Sequence, residues 1–242
     1  AGVLCVNIVG SPGAGKTTLL ESLFKALGKG IRPAVIEGDI ASAIDAERIE
    51  QLGVPVVQIN TDGACHLDAN MIASVLGDLD LAAIDLLFIE NIGNLVCTAG
   101  FDLGEQLRIV VLSAVEGDDK AVKYPAIFQG SSAMVITKCD LLAHTNFDSE
   151  RITADYRHLR PDGRVFPVCA LTGDGASATT AIVNSALIVF REGLEAILIL
   201  VAITASMIGP RAPLRRPVYR GALLALPASV VIFVLALLLL DS

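Results

Sequence analysis

The sequence predicts an α/β domain with a mostly parallel, doubly wound sheet, followed by two transmembrane helices. Three observations predict it. Seven short β-branched runs alternate with helix-like segments over residues 3–170. A glycine-rich loop, "GSPGAGKT" (10–17), joins the first run to the first helix. Two long apolar stretches then close a chain that is 53% hydrophobic.

The elements follow in order. "VLCVNIV" (3–9) is apolar on both faces, as a strand covered by helices on each side must be. A helix at 17–27 starts directly from the loop. "RPAVIE" (32–37) and "VPVVQI" (54–59) are strands, followed by helices at 42–52 and 67–77. "DLLFIE" (85–90), "LRIVVLS" (107–113), "SAMVITK" (132–138) and "RVFPVCA" (164–170) complete the strands, with helices at 118–128 and 149–159. Such alternation winds helices over both faces of one sheet. "LTGDGASATT" (171–180) is small and polar and reads as a linker. Residues 182–208 then span roughly 40 Å as helix. Residues 221–240 match the ~30 Å hydrocarbon core. The expected domains are therefore 1–175 and 176–242.

The net charge is −8. Acids outnumber bases before residue 176, and bases outnumber acids after it. The first part is large enough for one core, and its acidity argues against a nucleic-acid partner. Five cysteines without paired spacing point to a reducing cytosol rather than a disulfide framework. The first apolar run is short and lacks a basic flank, so it is not a signal peptide. The chain opens with Ala, directly before its first strand, and we expect a further N-terminal piece.

Gly10 to Thr17 fits G-x4-G-K-[ST] between a strand and a helix, the context of a P-loop NTPase. Gly10, Gly13 and Gly15 let backbone N–H groups approach phosphates, and the helix N-terminus favours the anion. Lys16 supplies charge to the β- and γ-phosphates. The Thr17 hydroxyl suits Mg²⁺, and Thr18 completes the set. The competing reading is a glycine-rich turn with no ligand. "TKCD" (137–140) ends a later strand. Asp140 suits two guanine N–H groups and the Lys138 stem suits the base, which favours GTP over ATP. Glu90 and Asp39 end strands on the same edge, where they face Mg²⁺ or its water, or else are merely solvated acids. With Lys16 and Thr17 they are the candidate catalytic residues. No Arg or Gln finger stands out, so intrinsic turnover is expected to be slow.

Cys65 stands beside His66, and Cys97 lies seven residues after Glu90. Two thiols and an imidazole suit Ni²⁺ or Zn²⁺. By spacing alone they are equally two unrelated cysteines and a surface histidine. Cys5, Cys139 and Cys169 read as core residues, and His144 and His158 as exposed ones. Arg191, Glu192 and Glu195, in "REGLE", sit near the middle of the first apolar stretch. Charges there cost about 2.5–3.5 kcal/mol each and need partners or a function. They form either a self-neutralised cluster or hard ligands for Fe³⁺.

"GSPGAGKTTLL", "EGDI", "TDGACHLDA", "FIENIGNLVC", "FDLGE", "EGDDKAVKYPAIF" and "TKCDLL", in that order, resemble the hydrogenase nickel-incorporation GTPases, the HypB family. The resemblance covers about residues 3–175. It implies GTP hydrolysis and a homodimer in the GTP state. It also implies Ni²⁺ or Zn²⁺ at Cys65, His66 and Cys97, and work with hydrogenase maturation factors and the hydrogenase large-subunit precursor in the cytoplasm. Two features depart from the family pattern. No His- or Cys-rich N-terminal extension is seen, and the family's closing helix after the "LTGDG" loop is not recognisable. A urease-type nickel GTPase is close in chemistry, but "CHLDA" and "GNLVC" speak against it.

"REGLE" followed by "RRPVYRGALLAL" resembles the start of the Ftr-type high-affinity iron permeases, over about residues 180–242. This implies membrane attachment through 182–240, if that segment is genuinely expressed, and Fe³⁺ at the charged motif. The rival reading is a membrane iron transporter with an N-terminal regulatory GTPase. The arginines of 209–220 place that loop in the cytoplasm, which sends the GTPase domain to the opposite side. We therefore expect two sequences of different origin joined near 175–181, with a non-native or vestigial tail.

Overall fold

The computed structural model describes residues 2–206 except residues 29, 41 and 42. Seven strands, β1 (Leu4–Gly10), β2 (Pro33–Asp39), β3 (Val56–Asn60), β4 (Leu86–Glu90), β5 (Leu107–Ser113), β6 (Ala133–Thr137) and β7 (Arg164–Pro167), form one sheet in the order β3-β2-β4-β1-β5-β6-β7. Every pairing is parallel. All seven predicted strands are present, and β1 sits at the centre. That position explains why "LCVNIV" has no polar face to offer solvent.

The helices are α1 (Lys16–Ala26), α2 (Ile44–Glu50), α3 (Ala69–Val75), α4 (Lys120–Lys123), α5 (Pro125–Gln129), α6 (Ser149–Leu159) and α7 (Ala176–Ser206). The single helix expected at 118–128 is two. Pro125 has no N–H and restricts its predecessor, so Tyr124 leaves the helical region (φ −129°, ψ 56°) and Pro125 starts a new turn. Asp68 and Asp148 start α3 and α6 by accepting two backbone N–H bonds each.

Strand register assigns the side chains to faces. Phe88 and Val6 point toward α1, where Phe24 meets Phe88 edge-on with ring centroids 5.5 Å apart. The other face carries two apolar clusters. One is built on β5 and β6 with Phe128, Ile152 and Tyr156 from α5 and α6. The other is built on β2 and β4 with Ile72 from α3. Between them, Asn7 of β1 is fully buried, in register with Arg108 of β5. A polar residue at the centre of a sheet is tolerated only when bonded. Asn7 Nδ2 donates to Glu105 Oε1 at 3.1 Å, and Glu105 pairs with Arg108 at 2.6 Å. This polar seam carries the loop that follows β4.

The expected linker at 171–180 is not one. Residues 171–175 form a tight turn, and α7 begins at Ala176 with Ala176, Thr179, Thr180, Val183 and Leu187 buried. The closing helix that was not recognisable in the sequence is therefore present. Its small polar residues disguised it, because they are the ones packed inside. Ala1–Ile188 forms one compact unit and Val189–Ser242 a second. The expected first membrane span, 182–208, falls mostly within α7. Among the described residues no helix is long and apolar enough to cross a membrane. The three charges of the REGLE segment interrupt the apolar run. Arg191, Glu192 and Glu195 are all exposed on α7, and no ion pair joins them among the described residues. The loop 209–220 and the second expected span, 221–240, lie outside the described residues.

Candidate functional site

The nucleotide loop forms where β1 ends and α1 begins. At Gly10 a Cβ would run into the Val111 carbonyl oxygen of β5, so only glycine lets the chain turn there. Gly15 starts α1 in the left-handed region (φ 90°), and no side chain caps that end. The free N–H groups of the first turn are thus left for an anion. Lys16 and Thr17 are nearly buried. Lys16 Nζ donates to the Ser11 carbonyl at 3.4 Å, a long bond that a phosphate can replace. The Thr18 hydroxyl accepts from Arg48 at 3.2 Å, which fastens α1 to α2.

Glu90 lies beneath this loop. Its Oε1 accepts from the Thr17 hydroxyl at 2.9 Å, and its Oε2 is buried with no partner. Burial pushes the Glu90 carboxyl up to about 7, against the opposing pull of Lys16 and Thr17. Glu37 of β2 sits beside it in register. It too has an unpartnered buried oxygen, and burial with the Glu90 charge raises it to about 8. Sequence reasoning chose Asp39 from "EGDI" and passed over Glu37. The signal was that a strand buried on both faces carried an acid two residues before its end. Asp39 Oδ1 accepts from the Ile40 N–H at 2.6 Å at the edge of the same cleft. Two orphaned carboxylate oxygens beside a threonine hydroxyl are a donor set that fits a hard divalent cation.

The "TKCD" segment meets the loop from the β6 side. Thr137 donates to the Ala14 carbonyl at 2.5 Å, and Lys138 Nζ donates to the Gly13 carbonyl at 2.8 Å. Lys138 itself adopts the left-handed conformation (φ 57°). The Asp140 side chain is exposed, and Oδ1 accepts from the Cys169 thiol at 3.2 Å. Cys169 is buried, as a core residue would be.

Cys65 Sγ lies 3.7 Å from His66 Nδ1. Cys65 and desolvation together push the Cys97 thiol above its ordinary range, with the neighbouring Cys65 thiol the larger cause. All three are half-buried. The three expected ligands are thus neighbours, although among the described residues no three such groups already converge as a metal cluster. The Phe101 ring stacks on His66 with centroids 3.7 Å apart. Arg108 holds that loop by donating to the carbonyls of Ala99 and Phe101 at 3.3 and 2.7 Å.

Two asparagines tie this cluster to the nucleotide loop. Asn94 N–H donates to the Gly10 carbonyl at 2.9 Å, and its side-chain oxygen accepts from the N–H groups of Val96 and Cys97. Asn91 is buried next to Glu90 and accepts from the Leu67 N–H at 3.2 Å, one residue after His66. Gly93 packs where a Cβ would stand 2.7 Å from Pro12 of the loop. Each thiol-bearing segment is therefore one hydrogen bond away from a residue of, or beside, the phosphate site.

The model for the CobW/HypB/UreG nucleotide-binding domain matches residues 4–167. The chain is 49% identical over 170 residues to hydrogenase maturation factor HypB of Azotobacter vinelandii, covering 70% of this chain and 56% of that protein. It is 43% identical over 174 residues to the probable HypB of Methanocaldococcus jannaschii, covering 72% of this chain and 79% of that protein. The crystal structure of HypB from Helicobacter pylori in complex with nickel superposes with a TM-score of 0.72 at 37% identity, covering 79% of this chain and 89% of that one. The chain thus spans a little under three fifths of the bacterial relatives from Azotobacter vinelandii and Escherichia coli (56% and 59%). None of these likenesses supports the iron-permease resemblance of residues 180–242. The fold, the loop and the likenesses agree that the chain belongs to the CobW/HypB/UreG family of P-loop proteins, and within it to the HypB group.

Proposed function

We propose that the chain is a GTP-hydrolysing nickel metallochaperone for [NiFe]-hydrogenase maturation, with nickel as its cargo. The observation that carries this is the pair of short hydrogen-bonded links, Gly10–Asn94–Cys97 and Glu90–Asn91–Leu67, between a phosphate loop and a thiol–imidazole cluster. Residues 1–175 hold every proposed group, and residues 176–242 hold none.

Gly10, Gly13, Gly15, Lys16, Thr17 and Thr18 line the phosphate side, while Lys138 and Asp140 take the guanine. Thr17 would hold Mg²⁺, with Glu90, Glu37 and Asp39 close by for the ion or its waters. When bound, that ion neutralises charge on the β- and γ-phosphate oxygens. Lys16 adds a fixed charge where negative charge gathers as the bond from the γ-phosphorus to the bridging oxygen breaks. Water takes the phosphoryl group, leaving GDP and inorganic phosphate. Glu90, whose carboxyl is pushed up to about 7 by burial, is the group we propose to order that water. Cys65, His66 and Cys97 are the ligands for Ni²⁺ or Zn²⁺. Three donors leave the site open, which suits cargo that must be passed on. A homodimer in the GTP state, maturation factors with the hydrogenase large-subunit precursor as partners, and a cytoplasmic setting belong to this reading. Neither Fe³⁺ binding nor an anchoring role has an observation in its favour.

The test is Ni²⁺ titration of the full chain saturated with GDP or with a non-hydrolysable GTP analogue, alongside phosphate release from GTP. Slow release and a nickel affinity at least about threefold different between the two states are expected. Equal affinities would overturn the coupling. No phosphate release would overturn the GTPase.

A further inference from the structure

We propose that Phe101, gripped by the Arg108 guanidinium, is a positioning residue for the thiol–imidazole cluster: its ring fixes the plane of the His66 imidazole, so that Nδ1 is already turned toward the Cys65 thiol before a cation arrives. The proposal rests on the metal reading of His66 given above.

The segment that carries His66 is fastened by its backbone. The Thr61 hydroxyl donates to the Ala64 carbonyl at 2.9 Å, and the fully buried Leu67 gives its N–H to Asn91 Oδ1 at 3.2 Å. Neither bond restrains the imidazole. Its ring torsion is intrinsically broad, and the residue is only half-buried. Phe101 supplies the restraint. The two rings lie nearly parallel, 18° apart, with centroids separated by 3.7 Å. A ring stacked on its face can slide in its own plane but cannot tilt out of it. The edge then stays where it is, with Nδ1 3.7 Å from Cys65 Sγ. A ligand held in this way binds without first losing its rotational freedom.

Phe101 is itself 37% exposed, so it needs an anchor. It follows the 3-10 turn Cys97–Gly100, which starts with another of the proposed ligands. Arg108 grips that turn through the Ala99 and Phe101 carbonyls. The guanidinium is fixed in its turn, because Nε donates to Glu105 Oε1 at 2.7 Å and the two side chains are 11% and 5% exposed. Glu105 accepts from Asn7 Nδ2, and Asn7 Oδ1 accepts from Asn91 Nδ2 at 3.4 Å. Asn91 leads back to Leu67, so the contacts close into a ring that starts and ends at His66. The ring joins the loops after β3 and β4, two strands that β2 separates in the sheet. A buried ion pair is costly to desolvate, and apolar side chains could fill its space. What they could not supply is a planar fork that holds two carbonyls at once.

The experiment uses the full chain without nucleotide. Its three histidines give three sets of ring-proton NMR signals, and His66→Ala identifies one of them. Titrations with Ni²⁺ and with Zn²⁺, GDP affinity and thermal melting are compared for wild type, His66→Ala, Phe101→Leu (no ring), Phe101→Tyr (ring kept), Arg108→Lys (charge kept, fork lost) and the Phe101→Leu/His66→Ala double variant. In the metal-free wild type the His66 ring protons are expected upfield of those of His144 and His158, because they lie over an aromatic face. Phe101→Leu abolishes that displacement and weakens each cation that His66→Ala weakens, by about three- to tenfold. GDP affinity is unchanged. Arg108→Lys moves both readings in the same direction, and Phe101→Tyr keeps both. Phe101→Leu adds nothing in the His66→Ala background. Unchanged cation affinity in Phe101→Leu overturns the proposal, as does an equal loss in the His66→Ala background, which marks a purely structural role. If His66→Ala weakens neither cation, the ligand reading has failed and the proposal falls with it; the upfield signal then tells a stack without a ligand from no stack at all.

Discussion

Glu90 and Glu37 are a pair of buried acids in neighbouring strands, and their energetics dictate a pH dependence. Both carboxyls are raised from 4.5, to about 7 and about 8, chiefly by burial. A raised carboxyl binds its proton more tightly in the folded chain than in the unfolded one. Its stabilising contribution is complete below about pH 4.5 and is lost as pH rises through the raised value. The melting temperature of the nucleotide-free protein is therefore expected to fall between about pH 4.5 and 8, and Glu37→Gln to flatten that decline. Glu90→Gln should lower GTP turnover by about a hundredfold and leave GDP affinity within a few-fold, because it removes charge at the reacting end and keeps a hydrogen-bond acceptor for Thr17. The phosphate loop residues were legible because glycine and lysine spacing is dictated by phosphate itself. Glu37, Asn91 and Asn94 were not. Their roles depend on which strands lie side by side, and no local pattern carries that information. Asn94→Ala removes the acceptor for the Cys97 N–H and should make nickel affinity the same in the two nucleotide states, as titration would reveal.

At the level of elements, the strands were read correctly because the central ones, β1, β4, β5 and β6, are covered on both faces and had to be apolar. The helices were harder. Pro125 splits one in two. The beginning of α7 looked like a linker because threonine and alanine are small enough to be buried against the turn before it. That turn has little tolerance. Gly175 has φ +79°, and a Cβ there would strike the Pro167 carbonyl. Gly175→Ala should cost at least about 1–3 kcal/mol in denaturant unfolding. Leu187, only 4% exposed, lies three turns into α7. Leu187→Ala should cost about 2–5 kcal/mol. A helix that merely emerged from the domain into lipid would show no such loss.

For the whole molecule, the first compact unit ends at Ile188 rather than at the glycine-rich turn. A chain stopped after Ile188 is expected to melt cooperatively and bind GDP like the full chain. One stopped after Gly175 exposes the surfaces that Val183 and Leu187 cover and should not melt cooperatively by circular dichroism. The apolar excess at the end of the sequence suggested a membrane protein, and composition could not show that its first part, with Val183 and Leu187 buried, belongs to the first compact unit. The charges at Arg191, Glu192 and Glu195 were read as either a self-neutralised cluster or hard ligands, and in the structure all three are exposed on α7.

The central place of β1 also bears on how the chain is made. Leu4 pairs with Leu86, and Val6 with Leu107, so the strand carrying the phosphate loop has no partner until residues far downstream exist. At about 5–20 residues per second, a ribosome needs roughly 5–20 s to produce them. For that interval "LCVNIV" is an apolar strand with both edges unpaired, the kind of segment that pairs with whatever comes first. The nascent chain therefore needs shielding during synthesis, and slowing translation between residues 10 and 107 should increase aggregation more than slowing it after residue 140.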